Sequence, residues 1–434
     1  MKKLFLILLP AIIFFSCQKE DTQNLTASLP TVITDTVITV TLPTATGGGR
    51  VTDDGGDSVF ARGVCWAITP NPTITGNHTT DGRDTGHFTS LITGISPNNI
   101  YYVRAYATNS AGTAYGNQVT FNTQPDIYVV GGQYGLGTIV SKATLWKNGV
   151  ATLITDGTND ASLFAGCVSG ADVYVVGYEK SGFNEVATVW KNGVPTRLSD
   201  PSHRSIAKSI VISGTDVYIA GMENSGTPYA AKLWKNGVPV TLSNTANNGQ
   251  AYTVFVSGTD VYVTGFEQNP SGFTGKLWKN GVAFPYTTGQ LDPHGLFVSG
   301  PDIYVAGVFN TGSRYNATVW KNGVPAFLST APGTDAKARS VLVSGTDVYV
   351  VGYESPSNGH PAGTIWKNGV GTRLTAAGYD GYAEEVCVVG SDVYVAGYDF
   401  NGSSYTSAKL YKNGVATVLP HVEVYSFANS MFVK

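Results

Sequence analysis

A pair of short motifs that recurs seven times constrains this chain more than any other feature. The first, Asp-(Val/Ile)-Tyr-(Val/Ile)-x-Gly, begins at Asp126, Asp172, Asp216, Asp260, Asp302, Asp347 and Asp392. The second, Trp-Lys-Asn-Gly-Val, begins at Trp146, Trp190, Trp234, Trp278, Trp320 and Trp366, with Tyr411 opening the seventh copy. Copies of the first motif are 42 to 46 residues apart, so one structural unit is repeated throughout residues 125–434.

Each unit carries the signals of four short strands. In the sixth copy the strands are residues 340–345, 347–352, 363–366 and 370–374, and Asn368-Gly369 joins the last two. Asn-Gly between apolar segments favours a tight hairpin, because both turn positions need positive φ. Four strands in a unit of this length are typical of one blade of a β-propeller. The sequence therefore predicts an all-β fold with a seven-bladed β-propeller.

The two ends of the repeat region are incomplete in complementary ways. The first unit lacks the strand that precedes the Asp motif, and residues 428–434 resemble that strand with no motif after them. We therefore expect the C-terminal strand to complete the first blade and close the ring, which removes open sheet edges.

Composition agrees with this class and excludes others. Charged residues make up 13% of the 434 residues and glycines number 52, whereas about 25% charge is usual. Disorder and coiled coils both need more charge. The net charge of −3 provides no field to attract nucleic acid, so nucleic acid is not an expected partner.

The N-terminus has the pattern of a secretory signal. Lys2 and Lys3 precede an apolar run that ends before Ser16-Cys17, and the run is too short to span a bilayer as a helix. Ser16-Cys17 resembles a bacterial lipobox, which implies a signal peptide over 1–16, lipidation at Cys17 and a tether over 17–29. The alternative is an ordinary signal peptide with an incidental cysteine. The lipobox implies a lipid-anchored protein of the bacterial outer membrane. The acidic pair Glu20-Asp21 soon after Cys17 is similar to the export signals of some surface-exposed bacterial lipoproteins, which implies exposure at the cell surface.

Residues 30–124 show alternating segments separated by turn residues, the pattern of a β-sandwich. The stretch from Ile95 through Tyr101 to Gly112 resembles the fibronectin type III signature, with Tyr101 at the position of the corner tyrosine. We expect Tyr101, Val103 and Ala105 to face the core, and Tyr102, Arg104 and Tyr106 to face outward. This resemblance implies a spacer or adhesive module.

The repeat unit itself resembles the HAF-type extracellular repeats of bacteria, which pair a Leu-Trp-x-Asn-Gly-Val hairpin with a strand that ends near glycine. That resemblance implies an architecture and an extracellular setting, and no catalytic residues. The repeated Asp and Lys should pair within each blade, and the repeated Trp should pack between blades.

Candidate ligand-binding residues lie toward the long-loop face. Aligning the first strands of the blades reveals one variable position between uniform neighbours, a pattern expected where a ligand is recognised: Phe164, Lys208, Tyr252, His294, Arg339, Glu384 and Asn429. An acidic residue also ends the second strand in five blades: Glu179, Glu223, Glu267, Glu354 and Asp399. Aromatic rings and carboxylates together suit glycans.

The sequence contains none of the common hydrolase, nucleotide or metal motifs, so no cofactor or metal is expected. We predict a surface protein that binds a glycan or another surface protein. Two alternatives stay open: a polysaccharide-active hydrolase or lyase using His294, Arg339 and Glu384, and a structural component of an envelope complex.

Overall fold

Every regular element in the described part of the chain is a β-strand. The computed structural model describes residues 26–434 except 42, 98, 139, 225, 227, 245, 271, 287–290, 329–333, 357–358, 401 and 403–404. These residues form 37 strands and no helix. A boundary between Gln124 and Pro125 divides the chain into two compact units. The predicted signal peptide, Cys17 and most of the tether lie outside the described residues.

The first unit contains two antiparallel sheets around one core. One sheet consists of β1 (Thr31–Thr34), β2 (Thr39–Thr41), β3 (Thr44–Asp53) and β6 (Gly86–Thr93). The other consists of β4 (Ala61–Ala67), β5 (Asn77–His78), β7 (Ile100–Asn109), β8 (Gly112–Tyr115) and β9 (Val119–Asn122). Apolar side chains of both sheets form a single buried cluster.

The alternation predicted along β7 is confirmed at its core positions and wrong at one outward position. Tyr101, Val103 and Ala105 are buried, and the Tyr101 hydroxyl accepts a hydrogen bond from the Ser96 N–H at 2.8 Å. Tyr106 was expected to face outward, but it is 3% exposed. Its hydroxyl donates to the Thr79 carbonyl at 2.6 Å, because the chain segment that follows β5 packs over the outer surface of β7.

The described part of the second unit contains seven four-stranded antiparallel sheets. We number them 1 to 7 along the chain and call the strands of each a, b, c and d in sheet order. Strands a are β37 (Tyr425–Val433) in sheet 1, then β13 (Ala161–Ser169), β17 (Arg204–Ser213), β21 (Asn248–Ser257), β25 (Leu291–Ser299), β29 (Thr334–Ser344) and β33 (Asp380–Val389). Strands b are β10 (Ile127–Tyr134), β14 (Asp172–Ser181), β18 (Asp216–Asn224), β22 (Asp260–Asn269), β26 (Asp302–Asn310), β30 (Asp347–Pro356) and β34 (Asp392–Phe400).

The remaining two strands of each sheet surround the Asn-Gly turn. Strands c are β11 (Lys142–Lys147), β15 (Asn184–Lys191), β19 (Ala230–Lys235), β23 (Gly272–Lys279), β27 (Tyr315–Lys321), β31 (Ala362–Lys367) and β35 (Thr406–Lys412). Strands d are β12 (Val150–Leu153), β16 (Val194–Arg197), β20 (Val238–Thr241), β24 (Val282–Phe284), β28 (Val324–Phe327), β32 (Val370–Arg373) and β36 (Val415–Val418). Such repeated four-stranded sheets are compatible with a propeller-like fold.

Sheet 1 is assembled from both ends of the unit, as the incomplete first repeat predicted. Strand β37 pairs antiparallel with β10, from Ile127 opposite Val433 to Tyr134 opposite Tyr425. The strand therefore begins three residues earlier than the sequence pattern indicated. Its pairing occupies the edge of β10 that would otherwise be open.

Apolar contacts join each sheet to the next. Seven buried clusters each combine residues of two neighbouring sheets, and one of them joins sheet 7 to sheet 1 through Tyr394, Leu419 and Trp146. The six repeated Trp side chains are 0 or 1% exposed, and Tyr411 occupies the same place between sheets 6 and 7. The predicted role of these aromatic residues in packing between sheets is confirmed.

Candidate functional site

The Asn-Gly turns and the Asp residues meet at one end of every sheet, which we call the short-turn end. The turn Asn residues have φ of 50 to 52° and the following Gly residues 80 to 83°, as this hairpin type requires. Each turn Asn accepts a hydrogen bond from the first N–H after the Asp and donates to the Asp carboxylate. The side-chain amide thus ties strand b to the turn.

The predicted Asp–Lys pairs are also present at this end in all seven sheets. Their N···O distances are 2.7 to 2.8 Å, and the pairs are Asp126–Lys147, Asp172–Lys191, Asp216–Lys235, Asp260–Lys279, Asp302–Lys321, Asp347–Lys367 and Asp392–Lys412. Each Lys ammonium also lies 5.2 to 5.4 Å from the ring centroid of the motif Tyr. A cluster repeated without variation in every sheet belongs to the fold, and such solvated pairs stabilise it only slightly.

The opposite half of each sheet contains a β-bulge in strand a. In sheet 3, Ala207 pairs with Gly221 and Ser209 with Ala220, so Lys208 is an extra residue with no partner across the ladder. The same shift recurs in every sheet, and the extra residues are Asn429, Phe164, Lys208, Tyr252, His294, Arg339 and Glu384 in sheets 1 to 7. They are the seven variable positions found in the sequence. A bulge redirects the side chain of its extra residue.

The final Gly of the Asp motif is required by this bulge. A Cβ on Gly221 would lie 2.0 Å from the carbonyl oxygen of Ile206, and the other six glycines show the same close approach, at 1.8 to 2.3 Å. Any side chain there would push strand b away from strand a. The constant glycine and the unpaired extra residue of strand a are therefore two consequences of one backbone geometry.

All seven extra residues line a single cavity of about 500 Å³, which we call the bulge cavity. The structure therefore brings together every residue of the predicted variable position. Four further residues contribute to the lining: Gln250, Thr253, Glu385 and Tyr398. Sequence reasoning missed these four.

Two cations enter the bulge cavity from non-adjacent sheets. The Lys208 ammonium lies 3.5 Å from the centroid of the Phe164 ring. Burial lowers the pKa of Lys208 to about 8, and Arg339 is among the charges that lower it further. Arg339 Nε lies 3.7 Å from a Glu384 carboxylate oxygen, beyond hydrogen-bond distance, and is buried without a hydrogen-bond partner among the described residues.

His294 and Tyr252 form a second group on the cavity wall. Their ring centroids are 5.0 Å apart, and the Thr253 hydroxyl donates to the His294 carbonyl at 2.5 Å. Burial lowers the pKa of His294 although Asp292 lies 3.4 Å away, so the neutral imidazole is favoured. One oxygen of Asp292 is buried without a hydrogen-bond partner in the described structure.

Glu385 breaks the repeat at the position that follows the bulge. The other sheets have Ala165, Ser209, Thr253, Gly295, Ser340 or Ser430 there, so a Glu among small residues was the signal that could have identified it. Its carboxylate accepts hydrogen bonds from the hydroxyls of Ser340 and Ser430 and from the Val386 N–H. Burial raises the pKa of Glu385 to about 7, and burial also raises the pKa of Glu384.

The five acidic residues at the ends of strands b do not line the bulge cavity. Three of them pair with a Lys of strand c in their own sheet: Glu223–Lys232 at 3.1 Å, Glu267–Lys276 at 3.6 Å and Asp399–Lys409 at 3.4 Å. In the sheets of Glu179 and Glu354, Thr188 and Thr364 occupy the equivalent strand c position. The structure thus separates these acids from the seven variable residues, and three of them are already engaged in ion pairs.

Comparisons with known proteins identify no family for this chain. No protein-family model matches the chain, and no curated protein is significantly similar to it. The fibronectin, extracellular-repeat and lipobox resemblances therefore stay predictions. Among the described residues we find no apolar helix of membrane-spanning length, and no group of three or more His, Cys, Asp or Glu side chains in that same part of the chain is arranged to hold a metal ion.

Proposed function

We propose that residues 125–434 form a closed seven-bladed β-propeller that binds a carbohydrate in the bulge cavity without chemical turnover. Ring closure is supported by the seven inter-sheet clusters, one of which joins sheet 7 to sheet 1, and by the pairing of β37 with β10. Each sheet then acts as one blade and contributes one bulge residue to a common centre.

The observation that carries the binding proposal is the chemistry of the seven bulge residues. Identical backbone geometry presents a phenyl ring, an ammonium, a phenol, an imidazole, a guanidinium, a carboxylate and an amide to one cavity. Aromatic faces stack on sugar rings, and the polar groups bind hydroxyls. A cavity of about 500 Å³ also lies within the usual range for small-molecule sites.

The proposed setting is the bacterial cell surface. We propose that Cys17 carries a lipid anchor and that residues 30–124 are a fibronectin type III-like spacer. The two-sheet core and the Tyr101 hydrogen bond to Ser96 support the spacer proposal. A glycan of the environment, or one carried by a surface protein, would then be the partner.

A specific observation also favours the alternative of a polysaccharide hydrolase or lyase. Glu385 has a pKa raised to about 7 by burial, which suits a general acid at neutral pH. Glu384 is its neighbour and His294 lines the same cavity. Glu384, Glu385 and His294 are thus ionisable groups of one cavity, and they suit proton transfer as well as binding.

The test presents the chain from residue 22 to a glycan array and then measures product release from every glycan retained. The triple variant Lys208→Ala, Tyr252→Ala, Arg339→Ala should lose binding, because it removes two charges and a stacking surface from the cavity. The matched control changes Lys235 and Lys321 to Ala, which removes two cations from the short-turn end, and should bind normally.

The outcomes separate the candidates. Retention without product supports the binding proposal. Product formation that is lost in Glu385→Gln or His294→Ala would replace it with the enzyme. If no glycan is retained, or if the triple variant binds as the parent does while both unfold at the same temperature, the bulge cavity is not the binding site.

A further inference from the structure

We propose that the bulge cavity recognises an acidic saccharide, and that Lys208 and Arg339 bind the carboxylate of that sugar. This inference rests on the proposed carbohydrate-binding function and adds the class of sugar.

The first argument is the lack of an acceptor for Lys208. Its ammonium faces the Phe164 ring at 3.5 Å, and it forms no ion pair or hydrogen bond among the described residues. Glu185 is the acid that raises the pKa of Lys208 most, and it accepts a hydrogen bond of 2.6 Å from Arg204. A partly buried ammonium without an acceptor in the protein is available to pair with the anionic group of a ligand.

The second argument is the incomplete pairing of Arg339. Its Nε is buried and lacks a hydrogen-bond partner in the described structure, although Glu384 lies 3.7 Å away. A guanidinium favours two parallel hydrogen bonds to one carboxylate, and Glu384 does not provide that geometry. An arriving carboxylate can use the donors that Glu384 leaves open.

The third argument is the kind of ligand that the cavity fits. Among the described residues, Glu384 is the carboxylate that approaches Arg339, and no carboxylate lies within ion-pair distance of Lys208. The cavity volume of about 500 Å³ and its Phe164, Tyr252 and Tyr398 lining favour a sugar that carries the anion over a bare inorganic ion.

The experiment measures binding by isothermal titration calorimetry to trimers of galacturonate, glucuronate and mannuronate. Each acid is compared with its methyl ester, which keeps the sugar and removes the charge. We expect at least one acid to bind about tenfold or more tightly than its ester, as a charge-assisted pair should give. The preference should shrink as salt rises.

Three variants assign the preference for the acid to Lys208 and Arg339. Lys208→Gln and Arg339→Gln should each weaken acid binding about tenfold and change ester binding little, whereas Arg339→Lys should retain part of the preference. The matched control Lys235→Gln removes a cation from the short-turn end and should change neither. Unfolding temperatures of all variants are measured, so that loss of fold is distinguished from loss of the preference.

The pH dependence gives an independent readout. Lys208 gains its charge as pH falls through about 8, and Glu385 loses its charge as pH falls through about 7. The charged groups that act on Lys208 are Glu185, Arg339, Arg204 and Glu384. Glu384 is the charged group that acts on Glu385, which also accepts hydrogen bonds from Ser340, Ser430 and the Val386 N–H. Acid binding should therefore strengthen from pH 9 to pH 6, while ester binding stays nearly constant.

Each remaining outcome has a distinct meaning. Equal binding of acid and ester overturns this inference and leaves the proposed function in place. If no trimer binds and the glycan array retains nothing, both this inference and the proposed carbohydrate-binding function are wrong. A sulfated neutral trimer that binds as tightly as the acids overturns the carboxylate as the source of the anion, and inorganic phosphate that competes equally well overturns the saccharide.

Discussion

The two ends of the seven sheets differ in what the repeat keeps constant. At the short-turn end, Asp, Tyr, Lys and Asn form the same cluster in every sheet, with N···O distances of 2.7 to 2.8 Å. At the bulged end the backbone shift is just as constant, but seven different side chains occupy it. Uniform geometry with uniform chemistry specifies the fold, whereas uniform geometry with varied chemistry is what a recognition site needs.

This comparison also explains why the charges behave differently at the two ends. The lysine hydrogen bond lowers the pKa of Asp172 and of Asp392 at the short-turn end, and the aspartates carry ordinary negative charge. In the bulge cavity burial raises the pKa of Glu385 to about 7 and lowers the pKa of Lys208 to about 8. Perturbed groups gathered in a cavity are typical of functional sites.

The largest effect should come from a deletion in strand a of sheet 1, because that strand extends from the bulged end to the short-turn end. Removing residues 428–434 takes away most of β37, uncovers the edge of β10 and opens the cluster that contains Met431. We expect the second unit to lose its cooperative thermal transition and to aggregate, as followed by circular dichroism and light scattering. An unchanged melting temperature would refute the closure by β37.

The control for this deletion removes Lys434 alone. Its N–H donates to the Asp126 carbonyl at 3.1 Å, so its loss should cost about 1 kcal/mol, the value of one hydrogen bond. The fold should survive.

The next largest effect should be the loss of stability when the glycine that ends the Asp motif is changed, compared with a glycine of the turn between strands a and b. Gly221→Ala places a Cβ 2.0 Å from the Ile206 carbonyl oxygen, and backbone must move to relieve the overlap. We expect destabilisation of about 3 kcal/mol or more in urea denaturation. Gly214, in the turn between strands a and b, has φ of 60° and no atom within 4 Å of a Cβ, so Gly214→Ala should cost only about 1 to 2 kcal/mol.

These glycine variants test whether the bulge is essential to the fold. Equal losses in Gly221→Ala and Gly214→Ala would show that strand b tolerates a side chain opposite the bulge. The constant glycine would then need another explanation.

The smallest effect should be the response of the short-turn end to acid. An aspartate whose folded pKa is depressed stabilises the protein above its unfolded pKa, near 3.9, and that stability is lost as pH falls through the folded pKa. Seven such aspartates should make urea midpoints fall modestly below about pH 4. The double variant Lys191→Met, Lys412→Met removes the partners of Asp172 and Asp392, so its decline should be shallower.

Lys208→Met is the control for the acid experiment, because it removes a lysine of the bulge cavity instead of lysines of the short-turn end. Its ammonium titrates near pH 8, far above this range, so the slope below pH 4 should match that of the parent. If Lys208→Met flattens the slope and the double variant does not, the assignment of acid sensitivity to the short-turn end is wrong.

Much of the candidate site could be predicted because a repeat provides its own comparison. Seven copies aligned on one another showed which position varies, and Lys208 and its six counterparts do share a cavity. The bulge that directs them was not predicted, since it depends on how two strands pair. Glu385 could not be found from the variable position, because it is a single exception at the otherwise uniform position that follows. Tyr106 was placed outward because alternation along β7 does not reveal a crossing segment.

The sequence by itself determined the local and repeated features of this protein. Asn-Gly turns, Asp–Lys pairs, the number of repeats and the lone C-terminal strand all follow from residues that are near one another in sequence or that recur at a fixed spacing. Only the tertiary structure decided that the acids ending strands b pair with lysines of strands c, and that the carboxylate of Glu385 reaches two neighbouring sheets. Strand register and sheet packing bring these residues close together, and no local sequence pattern indicates which residues will be in contact.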